Sequence, residues 1–184
     1  MIEPLSILRR HMTLVGNKTP EWKSNAYSNG KAVELSHEDY AGKWHLIYWY
    51  PFDFSGLCPT EIQNFEDLLG DFKAENVEIL GASCDSVLTH KKWFEDGVTF
   101  SSPITHPVIA DTNHSVTKSF GALKEELGVA YRAMVLIDPE GTIRAHSVSD
   151  LGVGRSPQEM LRLAQAFVSG QACPANWKKG QELA

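Results

Sequence analysis

Apolar residues in this chain recur with two different periods, one typical of strands and one typical of helices. Residues 44–50 are rich in aromatic and branched side chains, which predicts a strand. Beyond them, Ile62, Phe65, Leu69 and Phe72 are spaced by three and four positions, which places them on one helix face. The pattern therefore predicts a strand-to-helix junction between these two segments.

The later segments continue this alternation and then add a hairpin. The polar residues 1–25 indicate an N-terminal arm or loop, and the apolar run 133–137 is typical of a central strand covered on both faces. Further strands are predicted at 77–83, 107–110 and 142–148, and further helices at 86–94, before Phe120 and from Ser156 onward. This order predicts an α/β fold with a central mixed β-sheet flanked by helices.

Length predicts one domain with a short tail. The 184 residues suit a single domain with a sizeable core. We place that domain at residues 1–168. A C-terminal tail, which carries Cys173, follows at residues 169–184.

Charge and hydropathy argue against several classes of partner. The net charge of −6 and the isoelectric point near 5.6 indicate neither a nucleic-acid-binding protein nor a protein that binds anionic membranes. No stretch reaches the roughly 18 apolar residues that span a bilayer, and residues 1–10 lack the apolar core of a secretion signal. The 3 cysteines cannot all pair within one chain. We therefore expect a cytoplasmic protein with free thiols.

Cys58 has the sequence surroundings of a reactive thiol. It lies at the predicted helix start, where unpaired N–H groups and the helix dipole stabilise a thiolate, the nucleophilic form of cysteine. Ser55 offers a hydroxyl three residues earlier, and Pro51 limits the freedom of the loop. The alternative is a cysteine that only fills space in the core, which is common for this residue type.

The loop around Cys58 and five other segments carry a family resemblance. The loop, residues 51–61, is Pro-Phe-Asp-Phe-Ser-Gly-Leu-Cys-Pro-Thr-Glu. It resembles the active-site segment of the typical two-cysteine peroxiredoxins of the alkyl hydroperoxide reductase C type. The other similar segments are 16–20, 83–93, 129–132, 150–156 and 172–178. The resemblance covers nearly the whole chain and implies a thioredoxin-like fold with peroxiredoxin additions.

That resemblance implies a role for each residue around the thiol. Cys58 would be the peroxidatic cysteine, whose thiolate attacks the terminal peroxide oxygen and becomes a sulfenic acid. Ser55 would position the peroxide by a hydrogen bond, and Pro51 would shield the pocket. Arg132 would stabilise the thiolate and the charge that develops on the departing oxygen.

Two further residues would support Arg132. The resemblance assigns Glu61 and Arg155 to an outer layer that holds the guanidinium in place, which is the support that preorganised sites need. Without the resemblance, Arg132 would be taken for a charged surface residue on a strand.

The other two cysteines receive different interpretations. Cys173 lies in a polar, mobile tail between Gly170 and Trp177, where packing explains an exposed thiol poorly. The resemblance makes it the resolving cysteine, which attacks the sulfenic acid of Cys58 to form a disulfide. In this family that bond joins two subunits, although the residues alone leave a bond within one subunit open. Cys84 follows an apolar strand, and we interpret it as a small buried hydrophobe.

The expected partners are peroxides, a reductant and further copies of the chain. The resemblance implies hydrogen peroxide and organic hydroperoxides as substrates. A thioredoxin-like protein or a flavoprotein would reduce the disulfide by thiol exchange, and homodimers would assemble into a ring, often a decamer. We expect no cofactor. The seven histidines show no paired spacing of the His-Glu-X-X-His kind, so we expect no metal site either.

The chain departs from the family pattern where over-oxidation is controlled. Peroxide-sensitive members carry a Gly-Gly-Leu-Gly insertion, which residues 95–107 lack, and a C-terminal Tyr-Phe helix, which does not follow Trp177. Both elements slow the unfolding that lets the resolving cysteine arrive. We therefore expect Cys58 to resist over-oxidation. Gly56 and Leu57 also replace a bulkier pair, which changes the expected shape of the pocket.

Two other functions compete with a peroxidase. A thiol–disulfide oxidoreductase on the same fold uses Cys-X-X-Cys, but Glu61 stands where the second cysteine belongs, which argues strongly against it. A holdase or signalling partner, formed by ring assemblies, is the second alternative. A measurement of peroxide consumption distinguishes a peroxidase from both of these alternatives.

Overall fold

The structure, a computed structural model, describes residues 13–183. Its strands are β1 (Lys23–Ser28), β2 (Lys31–Ser36), β3 (Trp44–Trp49), β4 (Val77–Ser83), β5 (Val108–Ala110), β6 (Leu123–Lys124), β7 (Val129–Ala130), β8 (Arg132–Ile137) and β9 (Ile143–Ser149). Its helices are α1 (Cys58–Asp67), α2 (Leu69–Ala74), α3 (Val87–Phe94), α4 (Ser115–Ser119) and α5 (Pro157–Val168), with a 3₁₀ helix at His37–Tyr40.

Seven of the strands form one mixed sheet in the order β2-β1-β5-β4-β3-β8-β9. β4 pairs in parallel with both β3 and β5, whereas β8 runs antiparallel to both β3 and β9. β6 and β7 form a separate antiparallel pair. The predicted α/β class with a central mixed sheet is confirmed.

β3 is buried on both faces because helices cover both sides of the sheet. Leu46, Tyr48 and Tyr50 belong to a core cluster that includes residues of α1, α2, α3 and α5. Ile47 and Trp49, which alternate with them along the chain, belong to a second cluster that includes residues of α4. This burial on both sides explains why nearly all residues of the segment are apolar or aromatic.

The sequence pattern does not predict the first two strands. β1 and β2 form an antiparallel hairpin that starts at Lys23, within the segment interpreted as an arm or loop. Ala26 and Tyr27 are the buried residues of this hairpin, so its apolar alternation is too weak to recognise. The interpretation as a loop is wrong for residues 23–25, and residues 1–12 lie outside the described range.

The first predicted helix is in fact two helices. α1 ends at Asp67 and α2 begins at Leu69, and Leu68 between them has φ −94° and ψ 3°. The apolar stripe still faces the core on both sides of this break, because Phe65 and Phe72 are fully buried.

The C-terminal tail packs against the rest of the chain. α5 ends at Val168, and Trp177 beyond it is 6% exposed. The Arg162 guanidinium on α5 donates a hydrogen bond to the Trp177 carbonyl (3.4 Å), and Lys179 forms an ion pair with Glu75 (2.6 Å). The tail is thus attached to α5, whereas the sequence indicates a mobile segment. The domain boundary at the end of α5 stays a prediction.

Candidate active site

Cys58 is the first residue of α1, and its side chain is fully buried. Residues 51–57 lead into it from β3, and its backbone N–H donates to the Ser55 hydroxyl (3.4 Å). Pro59 takes the next helical position, where a missing N–H costs no intrahelical hydrogen bond. The predicted position of this thiol, at a helix start, is confirmed.

Arg132 approaches the thiol from the strand beside β3. It is the first residue of β8 and is 3% exposed, so it is not the surface charge that its residue type suggests. Its Nη1 lies 3.6 Å from Cys58 Sγ. Its Nε donates to the carbonyl of Leu151 (2.8 Å), a contact for which the sequence holds no signal.

Glu61 binds two arginines at once. One helical turn after Cys58, its Oε2 pairs with Arg132, and its Oε1 pairs with Arg155 Nε (2.8 Å). Oε1 also accepts from the Arg155 backbone N–H (2.7 Å), and Arg155 Nη1 donates to the Ala133 carbonyl. All three charged side chains are buried. The structure thus brings together the thiol and the three charged residues that the sequence singles out.

The buried charges in this cluster do not cancel. Arg132 and Arg155 carry two positive charges, and Glu61 carries one negative charge. Because the groups are removed from water, the remaining positive charge is poorly screened. A thiolate at Cys58 would neutralise it, and the helix N-terminus acts in the same direction.

The loop before the thiol carries the other two predicted site residues. Ser55 is half-buried, and Pro51, two residues after the end of β3, is buried. Phe54 between them has a φ of +54°, a left-handed conformation that costs energy for a residue other than glycine. The surrounding contacts therefore hold this loop in a shape that it would not adopt alone.

Asp53 anchors the loop, although the sequence reasoning assigns it no role. Its carboxylate accepts from the Tyr50 hydroxyl (2.8 Å) and pairs with His90 Nδ1 (2.7 Å), and its N–H donates to the Asp85 carboxylate (3.0 Å). Burial raises the pKa of Asp53. The position of Asp53 inside the active-site segment is the one signal that the sequence offers.

Cys173 lies half-buried beside the end of α5, whereas the sequence predicts an exposed thiol. Its Sγ is 3.7 Å from Ser169 Oγ, and 3.8 and 3.6 Å from the carbonyl oxygens of Ala166 and Gln171. A groove of about 340 Å³ adjoins it. Cys173 and Cys58 are both free thiols in this single chain, so their predicted pairing stays a prediction.

Cys84 is half-buried, whereas the sequence predicts a small buried hydrophobe. Its thiol lies 3.8 Å from Thr117 Oγ1. Burial raises the pKa of Cys84 to about 11, which keeps the thiol protonated at neutral pH. Since the thiolate is the nucleophilic form, Cys84 is a poor candidate for the reactive residue.

Two kinds of feature are absent from the described part of the chain. Residues 13–183 contain no group of three or more His, Cys, Asp or Glu side chains placed to hold a metal ion. Within the same range, no helix has the length and apolar character needed to cross a membrane.

Similarity to known proteins decides the family. Residues 15–146 match the model of the AhpC/TSA family. The chain belongs to the AhpC/TSA family. It is 41% identical to peroxiredoxin prdx-2 of Caenorhabditis elegans over 174 residues, which cover 91% of this chain and 87% of that protein. It is 40% identical to peroxiredoxin-2 of Mus musculus over 177 residues, which cover 91% and 88%.

Solved structures of AhpC/TSA proteins share the fold. The reduced 2-Cys peroxiredoxin of Plasmodium vivax matches with a TM-score of 0.87 at 35% identity, over 93% of this chain and 92% of that one. Enterococcus faecalis AhpC matches with a TM-score of 0.83 at 35% identity, over 89% and 100%. The thioredoxin-like peroxiredoxin fold and the family resemblance are confirmed. This AhpC/TSA protein is a thiol-dependent peroxidase, an oxidoreductase.

Replacing Glu61 should destabilise the protein more than breaking a more exposed ion pair does. Glu61→Gln leaves two buried guanidinium groups without a counter-charge, which should lower the free energy of unfolding by about 3–5 kcal/mol. The matched variant Glu159→Gln breaks the more exposed pair with Arg162 (2.7 Å) and should cost less than about 1 kcal/mol. Urea unfolding of both variants measures the difference. Equal losses of unfolding free energy in the two variants would contradict the role of Glu61 as a buried counter-charge for two arginines.

Proposed function

We propose that Cys58 is the peroxidatic residue of this peroxidase. Its thiolate attacks the terminal oxygen of hydrogen peroxide or an organic hydroperoxide, and the O–O bond breaks as the S–O bond forms. The sulfur loses two electrons and becomes a sulfenic acid. The departing oxygen takes up the proton that the thiol released, which yields water or an alcohol. In this role the protein acts as an antioxidant.

One observation carries this proposal. Arg132 Nη1 lies 3.6 Å from Cys58 Sγ, within a buried cluster that has one positive charge in excess. A fixed cation favours the thiolate, and it also favours the negative charge that develops on the departing oxygen. Cys84 has the opposite environment, because burial raises its pKa.

The neighbouring residues divide the remaining tasks. The Ser55 hydroxyl would hydrogen-bond the peroxide and orient it, and Pro51 would keep water away from the pocket. Glu61 and Arg155 would keep Arg132 aimed at the sulfur. The hydroxyl of Ser55 near the start of α1 and the ion pairs of Glu61 with both arginines support this division.

Cys173 is the resolving residue in this proposal. Its thiol would attack the sulfenic acid of Cys58, which forms a disulfide and releases water. Its contacts lie at the end of α5, whereas those of Cys58 lie at the start of α1, which favours a disulfide between two subunits. A thioredoxin-like protein or a flavoprotein would then reduce the disulfide by thiol exchange.

The proposed cycle implies an assembly and a compartment. Since each disulfide takes one cysteine from each of two copies, the homodimer is the working unit, and we expect dimers to form a ring, a decamer. The odd number of cysteines, 3, supports a reducing compartment, which we take to be the cytoplasm.

Replacing Cys58 with serine should reduce peroxide consumption to the background of the uncatalysed reaction, because a hydroxyl does not replace a thiolate as the nucleophile. The assay follows loss of hydrogen peroxide in the presence of a dithiol reductant. Cys84→Ser is the control and should keep nearly full activity. Full activity in Cys58→Ser would show that the peroxidatic assignment is wrong.

Replacing Cys173 with serine should remove a peroxide-induced dimer band from non-reducing gels. Cys58 would still be oxidised once, but without its partner thiol it could not form the disulfide. The wild-type band should disappear when a dithiol is added. A band that persists in Cys173→Ser would assign Cys58 a different disulfide partner.

A further inference from the structure

A row of three buried, hydrogen-bonded polar side chains begins next to Arg155. The Tyr48 hydroxyl lies 2.8 Å from His106 Nε2, and His106 Nδ1 lies 2.6 Å from Glu66 Oε2. Tyr48 is fully buried, and the side chains of His106 and Glu66 are 1% and 9% exposed. The three residues come from β3, from the loop before β5, and from α1, the helix that begins with the reactive thiol.

The fold makes room for the Tyr48 hydroxyl. Gly81 lies opposite Tyr48 in the parallel pair of β3 and β4, and a Cβ at this position would come within 3.0 Å of the hydroxyl oxygen. The Tyr48 ring stacks on Phe65 with 4.0 Å between centroids. Because a buried hydroxyl without a partner costs free energy, His106 allows a tyrosine to occupy this position.

The Glu66 carboxylate anchors these hydrogen bonds. Burial acts to raise the pKa of Glu66, but hydrogen bonds from His106 and Thr105 outweigh burial and lower the pKa to about 2. The ionised carboxylate accepts a hydrogen bond from His106 Nδ1, and His106 Nε2 shares the 2.8 Å hydrogen bond with the Tyr48 hydroxyl. These two hydrogen bonds fix the position of the Tyr48 ring in the core.

The Tyr48 ring faces Arg155. Arg155 Cζ lies 5.6 Å from the centroid of the Tyr48 ring, within the range of a cation–π interaction. Arg155 shares Glu61 with Arg132, which reaches Cys58. Among the described residues, Arg155 Nη2 is buried and finds no hydrogen-bond partner. The ring therefore helps to hold a guanidinium whose hydrogen bonds are incomplete.

We propose that Tyr48 is a positioning residue for the Cys58 thiolate and acts through Arg155 and Glu61; this inference rests on the proposed role of Cys58. The Glu61 carboxylate is divided between two arginines. When the ring contact weakens, the Arg155 guanidinium is held less firmly against Glu61, and Glu61 neutralises Arg132 more completely. The thiolate then loses part of its stabilisation.

The test is the pH profile of Cys58 alkylation in the full chain. Iodoacetamide reacts with thiolates, and mass spectrometry of the peptide that contains Cys58 reports this thiol alone. Tyr48→Phe keeps the ring but removes its hydrogen bond to His106. Without that bond the ring is no longer fixed over Arg155, so the profile should move to higher pH, with alkylation on its acidic limb up to about fivefold slower, the limit set by complete loss of the cation–π contact.

Tyr27→Phe is the matched control. Tyr27 is also a buried tyrosine, but it lies on β1, three strands from β3, with its ring against Phe94. Its profile should match that of the wild type. A Tyr48→Phe profile that coincides with the wild type would overturn the proposal. An equal shift in Tyr27→Phe would also overturn it, because the shift would then be a general response to a lost hydroxyl.

Two further variants keep the test decisive if Tyr48→Phe folds poorly. Tyr48→Phe/His106→Leu leaves no buried histidine nitrogen unpaired and should show the same shift. Glu66→Gln tests the sign of the effect. Loss of a nearby negative charge favours a thiolate and by itself moves the profile to lower pH, whereas the proposal predicts higher pH. A move to lower pH would overturn it.

The role of Cys58 in turnover is decided by a separate result. A shifted profile in Tyr48→Phe, combined with full peroxide consumption in Cys58→Ser, would keep the positioning role and reject the peroxidatic assignment. An unshifted profile with an inactive Cys58→Ser would do the reverse.

Discussion

The carboxylate of Glu61, shared by two buried arginines, is the interaction on which the site depends. It joins α1, the start of β8 and the loop after β9 through one side chain. Breaking a buried pair is costly, because the remaining charge is left without compensation. Here the charge compensation is incomplete, because two guanidinium groups face one carboxylate. The charge that remains is available to a thiolate at Cys58.

The sheet explains how these groups come to the same place. β3 and β8 are antiparallel neighbours, so the end of β3 and the beginning of β8 lie side by side. The loop that leaves β3 carries the thiol to the start of α1, and β8 begins with Arg132. Tyr48, near the end of β3, is thereby placed against Arg155. A short stretch of two strands thus positions the Cys58 thiol, the Arg132 guanidinium and the Glu61–Arg155 ion pair that contacts it.

Local patterns predicted the parts of this arrangement that depend on neighbouring residues. The strand-to-helix junction at Cys58 follows from apolar spacing, and the roles proposed for Arg132 and Glu61 come from a motif resemblance. The hairpin of β1 and β2 was not predictable, because it buries few apolar side chains. The contact of Tyr48 with His106 joins residues 58 positions apart, and no local pattern records such a pairing. The packing of the tail through Trp177 is hidden for the same reason.

In the proposed cycle, Cys58 is the first residue that peroxide oxidises. The most direct measurement treats Cys173→Ser with one equivalent of hydrogen peroxide in the presence of dimedone, which traps sulfenic acids, and locates the adduct by mass spectrometry. The account predicts an adduct on Cys58 and an unmodified Cys84, whose raised pKa keeps its thiol protonated. An adduct on Cys84 with Cys58 unmodified would contradict it.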